Sequence, residues 1–84
     1  MNLTLTYHKS AVKFLSKQDA HNRQRIYAAL EGLKRIPPAG DITKLKGTTN
    51  QYRLRVGTFR IIYQINFQEY VVYILAIDNL GDIY

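Results

Sequence analysis

The spacing of apolar residues changes along the 84-residue sequence, and each change predicts a different element of secondary structure. Leu3, Leu5 and Tyr7 alternate with polar residues, which is the two-residue period of a half-buried strand. From residue 8 to residue 17 the apolar positions instead recur every three or four residues, which predicts an amphipathic helix. We therefore expect a short first strand, paired inside a sheet, followed directly by a helix.

A second helix is predicted to begin after Asp19, because an aspartate side chain can accept a hydrogen bond from a free amide of the first turn. Ile26, Leu30 and Leu33, with Ile36 as a further candidate, form the buried stripe of this helix, and Pro37-Pro38 prevents it from continuing. The few residues between the two helices favour an antiparallel helical hairpin.

The second half of the chain is predicted to be mostly extended. A loop at residues 37–51 contains a short extended piece around Ile42 to Leu45. Residues 52–56 and 59–65 alternate on either side of Gly57-Thr58, a two-residue turn with glycine at its first central position. Residues 70–77 are apolar on both faces, as in an inner strand.

These elements predict an α+β fold in a single domain, residues 1–84. An N-terminal strand, a helical hairpin and a three-strand antiparallel meander form one twisted sheet with the helices on one face. A chain of 84 residues is too short for two hydrophobic cores.

The composition excludes several classes of protein. No window approaches the roughly 18 consecutive apolar residues of a membrane span, so we expect a soluble protein without a membrane partner. The absence of cysteine excludes disulfides, thiolate catalysis and cysteine zinc sites, and two isolated histidines, His8 and His21, predict no metal site and no cofactor. The N-terminus lacks a signal-peptide pattern, so the expected location is cytoplasmic.

The net charge of +6 is unevenly distributed. Residues 1–60 contain all twelve lysines and arginines and three acidic residues, whereas residues 61–84 contain three acidic residues and no cation. A basic domain of this size commonly binds a polyanion, either a nucleic acid or an acidic protein.

The predicted hairpin gathers arginines on one face. A two-residue turn places Arg55 directly opposite Arg60, with Arg53 on the same face. Like-charged cross-strand pairs destabilise a sheet, so one explanation is a bound anion, most simply phosphate. The other is that long side chains extend from an exposed face into solvent. Lys44 and Lys46 would extend the basic patch, although each lysine alone is also typical of a solvated loop.

Three stretches resemble the RelE/ParE superfamily of bacterial and archaeal type II toxins: Lys44-Leu45-Lys46-Gly47, residues 52–63, and Gly81-Asp82-Ile83-Tyr84. The resemblance extends over nearly the whole chain and includes the order of elements. Its most specific part is residues 52–60, with a tyrosine, two alternating cations, a glycine turn and an aromatic residue followed by arginine.

The resemblance implies a function and a set of site residues. RelE-type members are ribosome-dependent endoribonucleases that cut mRNA, using the ribose 2′-hydroxyl to attack the adjacent phosphate. The implied partners are therefore the ribosome, mRNA and a cognate antitoxin. The implied catalytic positions are Arg53, Arg55, Arg60 and Tyr84, and the implied RNA-binding positions are Lys44 and Lys46.

The sequence departs from the family pattern near its end. Active members commonly have a basic pair where this chain has Asp78-Asn79-Leu80, and Leu80 replaces an arginine assigned to the leaving group or transition state. The arginines at 53 and 55 are poor general bases. We therefore expect a weakened nuclease, and two alternatives stay open: a ParE-like DNA gyrase inhibitor, or a catalytically degenerate module that binds an antitoxin.

The final predicted strand also offers an interaction surface. By simple alternation, an apolar stripe lies on the sheet face opposite the helices, and in the resembled family such a surface is covered by the antitoxin. The predicted antitoxin-binding residues are Val71, Tyr73, Leu75 and Ile77.

Overall fold

A computed structural model describes residues 2–80, which form a five-stranded sheet and two helices. The elements, in chain order, are β1 (Thr4–Tyr7), α1 (Lys9–Ser16), α2 (Ala20–Gly32), β2 (Asp41–Lys44), β3 (Gln51–Val56), β4 (Phe59–Asn66) and β5 (Val71–Asn79). The helices pack on one face of the sheet, called here the inner face, and the opposite face is called the outer face. The predicted α+β class is confirmed.

Both helices begin at side chains that accept hydrogen bonds from backbone amides. The imidazole of His8 accepts from the amide of Ser10 at 3.1 Å, and the carboxylate of Asp19 accepts from the amide of Asn22 at 2.8 Å. The predicted cap at Asp19 is therefore confirmed, and such a cap stabilises a helix by about 1 kcal/mol.

The second helix ends earlier than its prolines require. It stops at Gly32, where the following loop folds back and the amide of Ala39 donates to the Gly32 carbonyl at 2.9 Å. A Cβ atom at Gly32 would lie 2.6 Å from the carbonyl oxygen of Ala39, so this close approach requires glycine. Ile26, Leu30 and Leu33 of the predicted apolar stripe are buried, but Ile36, its further candidate, is 48% exposed because the helix has already ended at Gly32.

The hairpin between β3 and β4 has the predicted register. Val56 pairs with Phe59 and Arg55 with Arg60, and Gly57 has a φ of +61° as a turn with glycine at its first central position requires. On the inner face Tyr52 stacks on its cross-strand neighbour Tyr63, with ring centroids 5.5 Å apart.

The edges of the sheet differ from the prediction. The strand order is β1-β5-β4-β3-β2, so β1 lies at an edge and pairs parallel to β5 rather than inside the sheet. The expectation of an inner first strand was wrong, because β1 pairs with β5 on one side only and no other strand of the sheet lies beyond it. The extended piece near residue 42 becomes β2, which adds a second edge strand to the predicted meander.

A β-bulge in β5 overturns the predicted alternation of that strand. Ile62 pairs with Ala76 while the next residue, Tyr63, pairs with Ile74, so Leu75 is an extra residue on β5. An extra residue reverses which face each later side chain occupies.

The bulge therefore divides the predicted apolar stripe. Val71 and Tyr73 lie on the outer face, but Ile77 is 6% exposed and belongs to the core. The prediction that Ile77 lies on the outer face was wrong. Tyr70 is 44% exposed and has a positive φ of 56°, because it belongs to the turn before β5.

Candidate functional site

The outer face of β3 and β4 carries the three predicted arginines. Arg53 and Arg55 alternate with the buried Leu54, and Arg60 alternates with the buried Phe59 and Ile61. Since the apolar neighbours must face the helices, the guanidinium groups are directed away from the core. The structure thus brings together the arginines that the sequence predicted to share a face.

Two carboxylates, which the sequence reasoning did not place here, flank these arginines. Asp41 on β2 is the cross-strand partner of Arg55, and Asp78 on β5 is the partner of Arg60. A row of four charged side chains therefore crosses β2, β3, β4 and β5 with the signs minus, plus, plus, minus. We call it the charged row, and it consists of Asp41, Arg55, Arg60 and Asp78.

The two ion pairs of the charged row differ in geometry. Arg60 donates from Nε and Nη2 to the two oxygens of Asp78, at 3.1 Å and 2.6 Å. Arg55 donates from Nε to one oxygen of Asp41, at 2.9 Å. The side chains of Arg60 and Asp78 are 34% and 45% exposed, whereas those of Arg55 and Asp41 are 64% and 55% exposed. The two-bond pair is thus the more ordered and the less solvated.

These carboxylates change the interpretation of the opposed arginines. The repulsion between Arg55 and Arg60 is offset within the protein by Asp41 and Asp78, so a bound anion is not required to explain the pair. The bulge in β5 places Asp78 opposite Arg60. Without it, the register that begins at Asn66 and Val71 would place Ile77 opposite Arg60, whereas the extra residue brings Asp78 there.

Arg53 differs from its two neighbours. Its cross-strand partners are Thr43 and Ile62, neither of which is charged, and its side chain forms no hydrogen bond or ion pair with the part of the chain described here. Arg53 is half-buried, so its guanidinium group is held near the sheet surface. It is the arginine of the outer face that carries no carboxylate partner within residues 2–80.

The two predicted lysines do not lie among the arginines of the outer face. Lys44 is the partner of Tyr52 and alternates in phase with Ile42, which packs against the core, so Lys44 lies on the inner-face side of the edge strand. The expectation that Lys44 extends the arginine patch was therefore wrong, because its position on β2 belongs to the opposite face of the sheet from the arginines. Lys46 lies in the exposed turn after β2.

A cation that sequence reasoning missed lies at the turn end of the hairpin. A Cβ atom at Gly57 would stand 2.5 Å from Nη2 of Arg25, so the guanidinium group of this α2 residue reaches over the β3–β4 turn. No spacing in the sequence joins Arg25 to Gly57, because the contact depends on how α2 packs across the sheet.

The described residues include few groups suited to proton transfer at this site. His8 and His21 lie at the starts of α1 and α2, away from the outer face. Leu80 is half-buried, and its amide donates to the carbonyl of Thr58 at 2.9 Å, so an aliphatic side chain stands beside the hairpin turn. The predicted stacking residue Tyr84 lies outside the described residues.

Two further predictions concern metals and membranes. Within residues 2–80 no group of three or more histidine, aspartate or glutamate side chains is arranged to hold a metal ion. None of the helices in that range is both long enough and apolar enough to cross a membrane.

The outer surface of β5 carries the rest of the predicted interaction stripe. Val71 and Leu75 are half-buried, and the hydroxyl of Tyr73 donates to Glu69 at 3.1 Å. This hydrogen bond to a carboxylate raises the pKa of Tyr73. The apolar stripe on the outer face of β5 is therefore shorter than predicted, because Ile77 lies in the core.

Comparison with known proteins adds a family and a fold. Residues 5–84 match the family model of the ParE toxin of the type II toxin–antitoxin system parDE. Toxin RelE3 of Methanocaldococcus jannaschii is 34% identical over 68 residues, which are 76% of this chain and 77% of the relative.

Two solved structures share both the fold and a moderate sequence identity. A chain of the archaeal RelE–RelB complex from Pyrococcus horikoshii OT3 superposes with a TM-score of 0.82 and 30% identity, covering 96% of this chain and 98% of that one. A chain of the RelB–RelE antitoxin–toxin complex from Methanococcus jannaschii gives a TM-score of 0.73 and 30% identity, covering 93% of each chain.

Proposed function

The chain belongs to the ParE toxin family within the RelE/ParE superfamily, and we propose that this RelE-like type II toxin binds mRNA on the ribosome through the arginines of its outer face. The observation that carries the proposal is the convergence of Arg53, Arg55 and Arg60 on adjacent strands of one exposed sheet face. Arginine guanidinium groups bind phosphate oxygens through paired N–H donors.

Arg53 is the first contact in this proposal. It has no carboxylate to displace within the described residues, and its flanking partners Thr43 and Ile62 leave the guanidinium group as the local charge. Arg60, held by Asp78 through two hydrogen bonds, has a fixed orientation and adds positive charge to the same face as Arg53.

The reaction that fits these groups is cleavage by attack of the ribose 2′-hydroxyl on the neighbouring phosphate. Guanidinium groups would stabilise the negative charge that develops on the phosphate oxygens. They would not act as general bases, because an arginine does not lose its proton in the physiological range. With Leu80 in place of a donor, we expect slow cleavage that depends on groups supplied by the ribosome or the RNA.

The direct test is cleavage of a defined mRNA by the purified protein with and without ribosomes. Arg60→Ala should lower the rate by about a hundredfold, the typical cost of removing one transition-state donor. Arg35→Ala is the matched control, because Arg35 is an exposed cation beyond the far end of α2, and it should cleave like the wild type. Intact mRNA after incubation of folded protein with ribosomes would refute the proposed activity.

A second candidate is inhibition of DNA gyrase without nuclease activity. The matching family model is that of a ParE toxin, and Leu80 stands where the resemblance to nucleases implies an arginine. A supercoiling assay separates the two functions. Inhibition of gyrase together with intact mRNA would establish the second and exclude the first.

We also propose a cognate antitoxin as the partner of this chain, because relatives of the same fold form RelE–RelB complexes. The proposed contact is the outer surface of β5, with Val71, Tyr73 and Leu75. Tyr73→Ala should weaken antitoxin binding at least tenfold, as truncation of an aromatic interface anchor does. Tyr27→Ala removes an exposed tyrosine from α2 and should leave the affinity unchanged.

A cytoplasmic location follows from a ribosomal target and forms part of the same proposal.

A further inference from the structure

The carboxylates of the charged row occupy the same donors that an anion would use. Arg60 presents the fork formed by Nε and Nη2 to Asp78, and this edge of a guanidinium group is also the edge that holds a phosphate through two parallel bonds. Arg55 presents its Nε to Asp41. Two of the three outer-face arginines therefore hold an oxyanion from their own chain.

We propose that Asp41 and Asp78 are internal counter-anions that set the anion affinity of the outer face and make Arg53 its first point of contact. An arriving phosphate meets no competing carboxylate from residues 2–80 at Arg53, but it must displace or share a carboxylate at Arg55 and Arg60. The proposal rests on the proposed function only for the identity of the natural anion as RNA. The competition itself concerns any phosphate.

Placement across the strands supports this role. The carboxylates stand at the two ends of the charged row, and the two arginines stand in its middle. Each carboxylate therefore lies one strand away from its guanidinium group, on the same face of the sheet. Each carboxylate lowers the positive potential of its guanidinium group, because the nitrogen and oxygen atoms are only 2.6 to 3.1 Å apart and Coulomb energy rises as the separation falls. Asp78 occupies this position only because the bulge of β5 displaces Ile77.

The ion pairs are poorly placed to act mainly as stabilisers of the fold. Every side chain of the row is at least one-third exposed, and exposed ion pairs contribute little to folding. An asparagine at either position keeps a side-chain oxygen for the arginine and leaves the other donors in contact with water. The neutralised variants should therefore fold, and their anion affinity can be measured.

The experiment measures binding of inorganic pyrophosphate, and separately of a single-stranded RNA oligomer, to the wild type, Asp41→Asn, Asp78→Asn and the double variant. At low salt we expect Asp78→Asn to bind pyrophosphate about fivefold tighter and the double variant about twentyfold tighter. Asp41→Asn should have the smaller single effect, because its pair has one hydrogen bond and more solvent contact. All gains should shrink as salt is added.

Glu31→Gln is the matched control for net charge. It removes one negative charge from α2, where Glu31 pairs with Lys34 at 2.9 Å. It should change pyrophosphate affinity less than twofold. A gain in Glu31→Gln equal to that in Asp78→Asn would overturn the proposal, since net charge alone would then explain the effect. Unchanged or weaker binding by Asp78→Asn would overturn it as well, since the carboxylate would then serve to orient Arg60.

The two proposals can fail separately. Tighter pyrophosphate binding by Asp78→Asn, with no cleavage of mRNA on ribosomes, would support the counter-anions and refute the nuclease. Cleavage of mRNA by the wild type, with no affinity gain in the double variant, would support the nuclease and refute the counter-anions.

Discussion

The two hairpins of the sheet make an instructive pair. The β3–β4 hairpin has a two-residue turn and an uninterrupted register, so every side chain lies on the face that the sequence predicts. The β4–β5 hairpin has a longer turn and a bulge at Leu75, so its later residues occupy the opposite face. The first hairpin supplies the arginines and the second supplies the carboxylate that restrains one of them. The bulge thus decides the electrostatics of the site.

The largest expected effect tests the face assignments that the bulge creates. Ile77→Ala should destabilise the protein by about 3 kcal/mol, because it removes a side chain from the core and leaves a cavity. Leu75→Ala should cost less than half as much, since Leu75 is the extra residue and is half-buried. Chemical denaturation measures both values. Equal losses would indicate regular alternation and contradict the bulge.

The next effect concerns the regular hairpin. Gly57→Ala should destabilise the protein by about 2 kcal/mol, because its φ of +61° is unfavourable for a residue with a Cβ and the Arg25 guanidinium group must move. Gly47 has a comparable φ of +77° with open space around it, so Gly47→Ala should lower the free energy of unfolding by about 1 kcal/mol. A smaller loss at Gly57 than at Gly47 would contradict the approach of Arg25.

A third prediction uses the tyrosine that the two hairpins share. Burial raises the pKa of Tyr63 to about 12, and its hydroxyl has no hydrogen-bond partner in the described part of the chain. The folded state therefore keeps the proton at pH values where the unfolded chain releases it, so stability is lost as the pH rises from about 10 to about 12.

Tyr63→Phe should remove part of that loss, of order 1–2 kcal/mol at the alkaline end, and should be neutral or slightly stabilising at pH 7. Tyr52→Phe, the stacked neighbour, should retain the alkaline loss. Denaturation midpoints between pH 8 and pH 12 provide the measurement. A Tyr63→Phe variant that loses stability in parallel with the wild type would show that other groups control the alkaline limb.

The smallest effect is on stability at the charged row. Asp78→Asn should change the free energy of unfolding by less than about 1 kcal/mol, because both partners of the pair contact solvent. A loss of several kcal/mol would mean that the pair is a structural element, which would contradict its assignment as a counter-anion.

The sequence was sufficient where local chemistry imposes geometry. Gly57-Thr58 fixes the register of Arg55 and Arg60, and Asp19 fixes the start of α2. The bulge could not be predicted, because residues 70–77 are apolar at nearly every position and either alternation buries enough surface. The two carboxylate partners could not be predicted either. Asp78 depends on the bulge, and Asp41 depends on the pairing of an edge strand across a long loop.

The sequence predicted some residues of the candidate site and not others. Grouping the arginines needed only the turn and the alternation, whereas Arg25 near Gly57 and Lys44 toward the inner face depend on tertiary packing and edge-strand phase. The family resemblance identified the chain as a toxin of the RelE/ParE kind, which the comparisons confirm. The catalytic roles of individual residues stay predictions.

Mapping cellular mRNA ends after expression of the toxin without an antitoxin shows whether the outer-face arginines act on mRNA. The wild type and Arg35→Ala should produce new cleavage sites within translated regions, and a combined Arg53→Ala, Arg60→Ala variant of normal stability should produce none. Cleavage that persists at the same sites in the combined variant, or its absence from a folded wild type, would show that these arginines do not act on mRNA.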